Sequence, residues 1–194
     1  MIITIGCEYG SGGSQIGSRV AQLLGIEFYD RDLIDQVVDR LGIERDLVEK
    51  ADNTDVSYAF ETSLGTRYAN LSNKVIAAQF DVIQKFAEKS DCVIIGRCSD
   101  YILRERTDVL NIFLYAPLET RIHSVMSNQN MTRKNAQKQI EISEEALSAR
   151  YKYITGTHRG NRHGRHMMLD SSVLGWEKTA KYIVQLADLK FGKK

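Results

Sequence analysis

The sequence predicts an α/β fold in which five short parallel strands alternate with helices. Short apolar runs recur along the chain, and segments with apolar residues at helical spacing separate them. The first run, at residues 2–5, leads directly into a glycine-dense turn and then into a helix. The 194 residues contain no visible repeat and no Pro-, Gly- or Ser-rich linker. We therefore expect one domain that spans residues 1–194.

Strands are predicted where apolar runs too short for a helix end at a polar residue or glycine. The run at residues 92–95 is apolar throughout, which is typical of a central parallel strand covered on both faces. The five predicted strands cover residues 2–5, 26–29, 92–95, 110–115 and 167–169. Ligands of such a sheet bind at the carboxyl ends of its strands, so functional residues are expected there.

Helices are predicted where apolar residues recur every three or four positions and a capping residue marks an end. The first begins at Ser14 and stops at Gly25, with Ile16 and Val20 on its apolar face. The longest is expected to be interrupted near Gly65. The predicted helices cover residues 14–24, 30–41, 44–51, 58–89, 100–104, 117–127, 132–154 and a C-terminal segment around 180–187. The helix at 132–154 has few large apolar residues, so we expect it to project from the core.

Composition limits the classes of partner. Hydrophobic residues make up 43% and charged residues 26% of the chain, and the net charge is +1. This balance is ordinary for a soluble domain and favours neither nucleic acid nor a membrane as a partner. The three cysteines lack C-x-x-C spacing, which argues against a disulfide framework and a zinc site. We therefore expect a protein of the reducing cytoplasm.

The turn after the first strand has the features of an anion-binding loop. Gly10, Gly12 and Gly13 allow backbone angles that a Cβ would forbid, so several N–H groups can converge on one point. Ser14 then opens a helix whose free N–H groups and positive dipole end face that point. A phosphate cradle is predicted, with a tight turn that holds no ligand as the alternative. Against the motif G-x-x-x-x-G-K-[ST], Cys7 replaces the first glycine and Gly13 the lysine.

Polar side chains follow the other strands at the same edge of the predicted sheet. Asp30 follows the second strand, Arg97 the third and residues 170–172 the fifth. Arg97 can bind a phosphate through two hydrogen bonds, and Asp30 can accept a hydrogen bond from a sugar hydroxyl or an amine. A role for Asp30 as a helix cap alone fits the sequence equally well.

Six separated blocks of the chain resemble, in order, the cytidylate-kinase-like proteins, a branch of the P-loop nucleoside monophosphate kinases. They are residues 3–13, 27–30, 93–97, 114–121, 151–156 and 169–175. The resemblance implies a three-layer P-loop NTPase fold with a five-stranded parallel sheet. It also implies a helical acceptor-binding insert at about residues 30–90 and a helical lid at about residues 128–166.

The resemblance further implies phosphoryl transfer from ATP, with Mg²⁺, to a small nucleotide. Arg97 would clamp the acceptor's phosphate near Asp30. Arg133 and Arg150, on the lid, would neutralise charge on the transferred group. The residues implied at the ATP site are Gly10, Ser11, Gly12, Gly13, Ser14, Gln15, Asp170 and Ser171, with Ser14 also beside Mg²⁺.

The chain departs from the orthodox cytidylate kinases at three positions. Gly13 replaces the P-loop lysine, Ile95 replaces an aspartate, and Gln36 falls where an arginine would help to hold the acceptor. Another cation would have to replace the lysine, and the candidates are Arg121, Arg133 and Arg150. The alternative is a nucleotide-binding regulator that has lost catalysis.

Residues 157–166 contain three arginines and three histidines. This segment fits a solvated connection or a nucleotide-facing hinge of the lid better than an RNA-binding loop, because no aromatic residue is interleaved. His163 and His166 have metal-ligand spacing but lack a nearby carboxylate or cysteine. Cys98, next to Arg97, is either a reactive thiol or an inert buried one.

Overall fold

The computed structural model describes residues 1–30, 32–53 and 63–192. Its centre is a sheet in which all neighbouring strands are parallel, in the order β2-β3-β1-β4-β5. The strands are β1 (Ile2–Cys7), β2 (Glu27–Tyr29), β3 (Cys92–Ile95), β4 (Val109–Tyr115) and β5 (Met167–Asp170). The predicted α/β fold with five parallel strands is confirmed.

Eight helices occur in the described part of the chain. They are α1 (Gly13–Leu24), α2 (Asp32–Leu41), α3 (Arg45–Asn53), α4 (Ser63–Lys89), α5 (Ser99–Ile102), α6 (Leu118–Gln129), α7 (Arg133–Thr155) and α8 (Ser171–Phe191). As predicted, Gly25 ends α1, where it takes a left-handed φ of 66° that a side chain would disfavour. None of the described helices is both long and apolar enough to cross a membrane.

The sheet separates two apolar layers because successive side chains of a strand point to opposite faces. On one face, Ile3 and Ile5 pack with Ile16 of α1 and Ile183 of α8. On the other, Ile94 belongs to a second cluster that includes side chains of α2, α3 and α4. The fold therefore has three layers, and the central strands are buried on both sides, as their continuous apolar runs predict.

One expectation about helices is wrong. The long helix is not interrupted near Gly65, since α4 runs unbroken from Ser63 to Lys89. One glycine costs a helix interior only about 1 kcal/mol, which a helix of this length tolerates. The predicted start of that helix, residues 58–62, lies outside the described residues. The helix predicted to project from the core, α7, contributes no described side chain to the two clusters that flank the sheet. It packs instead through Ala136 and Ile140 against α6 in a separate, smaller cluster.

Candidate functional site

A cleft of about 930 Å³ opens at the carboxyl ends of β1 and β3. The turn after β1 forms its floor, and one side of α7 and the loop after α7 form a wall. Five of the six residues from Gly10 to Gln15 line it, the exception being Ser11. Asp30, Arg97 and Arg150 also line it. The structure thus brings together most of the residues that the sequence assigned to one site.

The floor of the cleft has the curvature that an anion cradle needs. Gly10 and Gly12 have φ angles of 87° and 88°, in the left-handed region that side chains disfavour. Gly12 is the N-cap of α1, so the first N–H groups of that helix face the cleft. Ser11 is buried, and its hydroxyl and its N–H both donate to the Glu8 carbonyl, at 2.8 and 3.1 Å. Ser11 therefore fixes the shape of the loop.

Ser14 and Asp30 are directly connected. The Ser14 hydroxyl donates to Asp30 Oδ2 over 2.6 Å, and both residues face the cleft. This contact favours a site role for Asp30 over a role as a helix cap alone. A hydroxyl and a carboxylate at the edge of a phosphate cradle are oxygen ligands of the kind that Mg²⁺ uses together with phosphate oxygens. The residues present therefore fit a Mg²⁺ ion.

Arg97 follows β3 in a left-handed conformation, with φ 52°, and lines the cleft. Arg150, near the end of α7, is 4% exposed and donates through Nη2 to Gln79 of α4 over 2.6 Å. Both are well placed to meet an anion in the cleft. Arg150 thus has two roles in the structure. Its hydrogen bond to Gln79 joins α7 to α4, and its side chain forms part of the cleft wall.

A smaller cavity of about 350 Å³ lies on the other side of the turn after β1, against α6 and α8. Gly10, Ser171, Ser172 and Trp176 are among its lining residues. The Ser171 hydroxyl donates to the Ser11 carbonyl over 2.7 Å, and Asp170 caps α8 by accepting from the Ser172 N–H over 2.9 Å. These bonds fix α8 against the loop.

A sequence profile of the cytidylate kinase-like family matches residues 2–173. The chain belongs to this family. A cytidylate kinase of Methanopyrus kandleri is 23% identical over 183 residues, which cover 89% of this chain and 85% of that relative. The family match covers every residue that lines the cleft described above.

Solved structures confirm the fold of this cytidylate kinase-like chain. An uncharacterized protein from Eubacterium ventriosum superimposes with a TM-score of 0.74 at 19% identity, over 97% of this chain and 98% of the other. A shikimate kinase from Bacteroides thetaiotaomicron gives a TM-score of 0.58 at 14% identity, over 97% and 98%. A deoxyadenosine kinase from M. mycoides gives 0.52 at 12% identity, over 97% and 100%. At these identities the likeness concerns the fold, which is that of P-loop kinases.

Of the three arginines implied at the site, Arg133 is the one that does not line the cleft. It lies at the start of α7 with 53% of its side chain exposed, and its Nη2 binds Glu119 Oε1 at 2.7 Å. The Glu119 pKa is lowered by the hydrogen bond from Arg133. The role of Arg133 in this cytidylate kinase-like protein stays a prediction, and it would require α7 to move.

Sequence reasoning assigned no individual site role to three charged residues that line the cleft or contact its lining. Arg159 and Arg165 line it and come from the loop after α7. Glu144 of α7 accepts a hydrogen bond from the Tyr9 N–H over 2.5 Å and binds Arg159 Nη1 at 3.0 Å. The density of arginines in residues 157–166 was the signal available in the sequence for Arg159 and Arg165. No sequence signal singled out Glu144.

The cysteines of the protein have raised pKa values. Removal of the thiolate from water raises the pKa of Cys7 to about 11, and the charge of Arg159 lowers it only in part. Burial likewise raises the pKa of Cys98 to about 12, against the opposing charge of Arg150. Of the two alternatives for Cys98, the structure therefore favours an inert buried thiol over a reactive one.

The histidines of the basic loop form no metal site in the described residues, which contain no cluster of three or more His, Cys, Asp or Glu side chains suited to a metal ion. His166 Nδ1 instead accepts a hydrogen bond from the Asn111 N–H over 2.8 Å. Desolvation lowers the pKa of His166, with a smaller contribution from the charge of Lys190. Its role here is to join the end of the loop to β4.

Proposed function

We propose that this protein transfers the γ-phosphoryl group of ATP to a nucleoside monophosphate, cytidylate or a related small acceptor. The observation that carries the proposal is the glycine cradle at the N-terminus of α1, which faces several arginines across a single cleft. Phosphoryl transfer requires positioning and charge stabilisation more than a covalent nucleophile. An anion cradle and converging guanidinium groups meet both requirements.

The donor would bind with its phosphates on the cradle. The N–H groups of the first turn of α1 would donate to the phosphate oxygens, and the positive end of the helix dipole would favour their charge. The base would lie in the smaller cavity, beside Ser171 and Trp176. Gln15, which is exposed and follows Ser14, would lie at the edge of the same phosphates.

Ser14 and Asp30 would hold Mg²⁺, which when bound neutralises charge on the phosphates. The Ser14 hydroxyl and the Asp30 carboxylate already lie within hydrogen-bonding distance. In this arrangement Asp30 orients Ser14 and keeps its oxygen directed into the cleft. The same carboxylate remains close enough to the cleft to accept a hydrogen bond from the acceptor.

The acceptor's phosphate would bind at Arg97, opposite the cradle. Arg150 would neutralise charge on the transferred group from the wall that α7 provides. We propose that α2 to α4 serve as the acceptor-binding insert and that α7 with the loop after it serves as the lid. Arg133 would join the site only if lid closure separated it from Glu119.

The sequence departure at Gly13 favours a second candidate, a nucleotide-binding regulator without catalysis. The P-loop lysine is absent, and the loss of one preorganised group of this kind costs about 10²–10³ in rate. The cradle itself is intact, so binding would survive the loss. For either function we propose small nucleotides as partners and the cytoplasm as the location, which fits three free cysteines.

The test is ADP formation from ATP and Mg²⁺ with CMP, dCMP, UMP, AMP, GMP or no acceptor. Turnover with one monophosphate well above the acceptor-free control is expected and would identify the substrate. Saturable ATP binding without turnover would favour the regulator. Absence of saturable binding of ATP and of every monophosphate would contradict both candidates.

A further inference from the structure

Position 13 has no room for the lysine that the P-loop motif places there. An ideal Cβ on Gly13 would overlap the sulfur of Cys7 and would lie 2.9 Å from the Cys7 Cβ, closer than real Cβ contacts come. The two departures from the motif, Cys7 and Gly13, are therefore coupled through space. A cation at the donor phosphates has to come from elsewhere in the chain.

Arg159 is the side chain that reaches this position. Its Nη2 donates a hydrogen bond to the carbonyl of Cys7, the residue whose sulfur fills the space beside Gly13. Only 12% of its side chain is exposed, and the residue lines the cleft together with Gly13 and Ser14. Its guanidinium thus lies beside the strand end from which the cradle begins.

The structure holds Arg159 in this place through Arg165. Arg165 Nη2 donates to the Arg159 carbonyl over 3.3 Å, and its Nη1 forms an ion pair with Asp100. The two guanidinium carbons lie 5.9 and 5.3 Å from the centre of the Phe113 ring on β4. A loop of this kind is preorganised, because the backbone of Arg159 and its side chain are both fixed before a ligand binds.

The other candidate cations are tied to different places. Arg133 is exposed and binds Glu119. Arg150 binds Gln79 of α4. Arg121 donates to the carbonyls of Ala116 and Tyr9 and does not line the cleft. Arg159 is thus the candidate that both lines the cleft and contacts the residue packed against Gly13.

In this structure Arg159 forms an ion pair with Glu144. Its carboxylate binds Arg159 Nη1 and also accepts the Tyr9 N–H at the start of the cradle. A carboxylate that takes both a loop N–H and a guanidinium group holds the contacts that an incoming phosphate oxygen would use. The Arg159 guanidinium therefore lies beside the cradle, with the Glu144 carboxylate of α7 as its counter-ion.

We infer that Arg159 supplies, from the loop after α7, the positive charge at the donor phosphates that the motif lysine supplies from position 13. This inference rests on the proposed function of the cleft. It places the missing cation on the loop after α7, on the side of the cleft where the lid is proposed.

The test compares Arg159→Ala, Arg159→Gln and Arg159→Lys with the wild type. ATP affinity is measured through the fluorescence of Trp176, the protein's single tryptophan, and turnover through ADP formation. We expect Arg159→Ala and Arg159→Gln to weaken ATP binding at least tenfold and to slow turnover about 10²–10³-fold, with Arg159→Lys retaining most of both.

The Gln variant keeps hydrogen-bond donors and removes the charge, so it replaces the Ala variant in the test if the Ala variant does not fold. Arg162→Ala, an exposed arginine of the same loop, is the matched control and should equal the wild type.

A second experiment places the positive charge at position 13, where the P-loop motif has its lysine. In the Arg159→Gln background, Cys7→Gly with Gly13→Lys should restore ATP affinity at least in part, whereas Gly13→Lys with Cys7 present should not. Unchanged ATP affinity in Arg159→Gln, beside normal binding by the wild type, would overturn the inference and leave the proposed function standing. Failure of the wild type to bind ATP would overturn both.

Discussion

The indole ring of Trp176 packs directly against Gly12 of the glycine loop after β1. An ideal Cβ on Gly12 would overlap the indole nitrogen and would lie 2.8 Å from Trp176 Cδ1. Gly12 also has a φ of 88°, so the position excludes a side chain both by space and by backbone angle. This contact joins the cradle to α8 and to the smaller cavity, where a donor base would bind.

Gly12→Ala is therefore expected to destabilise the protein. The left-handed backbone costs about 1–2 kcal/mol and the overlap with Trp176 about 1–3 kcal/mol. Urea unfolding measures the loss. Adding Trp176→Ala should restore the part of the unfolding free energy that is lost through the overlap with the indole. The part that is lost through the left-handed backbone should remain. Gly160→Ala is the control, since nothing lies near its Cβ position, and an equal loss there would contradict this reasoning.

We expect Ser14→Ala to raise the Mg²⁺ concentration needed for half-maximal ATP turnover about 10–100-fold. Metal affinity typically falls by this factor when a residue that supports a metal site is removed. Asp30→Asn should have a similar effect, and the double variant should add little, because the two side chains act through one hydrogen bond. Ser18→Ala, an exposed serine one turn along α1, is the control. Additive effects of the two substitutions would show that they act independently.

Arg97→Ala is expected to raise the KM for the acceptor about 10–100-fold, which is the effect of losing a charge-assisted hydrogen bond. The KM for ATP should change far less, because the cradle lies across the cleft. Steady-state kinetics with each substrate varied separates the two values. Arg106→Ala, which removes an exposed arginine before β4, should change neither. Equal losses for donor and acceptor would contradict the placement of Arg97.

The three thiols are expected to react slowly with iodoacetamide at pH 7.5. Burial raises the pKa of Cys7 to about 11 and the pKa values of Cys92 and Cys98 to about 12, so little thiolate forms at that pH. Mass spectrometry of the native protein should show alkylation far slower than in guanidinium chloride. An exposed thiol introduced by Ser18→Cys gives the reference rate. Fast native alkylation of Cys98 would restore the reactive alternative.

His166 is expected to make the protein less stable in mild acid. Folding lowers its pKa through desolvation and, to a smaller extent, through the charge of Lys190. Protonation of Nδ1 would also break the hydrogen bond that it accepts from the Asn111 N–H. The unfolded chain therefore binds the proton first as the pH falls below about 6.5, and stability decreases from there until the folded pKa is passed. His166→Gln, compared with the exposed His163→Gln, should lose part of this pH dependence in thermal unfolding between pH 7 and pH 5.

Local patterns in the sequence were sufficient for the fold and the floor of the site. Strands and helices follow the spacing of apolar residues and the positions of capping glycines such as Gly25. The cradle could be predicted because its strand, its glycines and its helix start are consecutive. The predicted interruption at Gly65 is wrong, because one glycine destabilises a helix by little compared with the stabilisation that packing gives to the rest of the helix.

By itself, then, the sequence determined the strands and helices of an α/β fold and the glycine turn after β1, since these follow from residue type and spacing within short stretches of the chain. The kinase family followed from the resemblance of separated blocks. Tertiary structure decided which charges reach the cradle. Arg159, which the sequence did not single out, meets the Cys7 carbonyl across 152 positions of sequence, whereas Arg133, which the resemblance implied at the site, faces outward to Glu119. The physical reason is that the direction of a long side chain depends on the packing of the element that carries it. That packing joins residues that no local pattern connects.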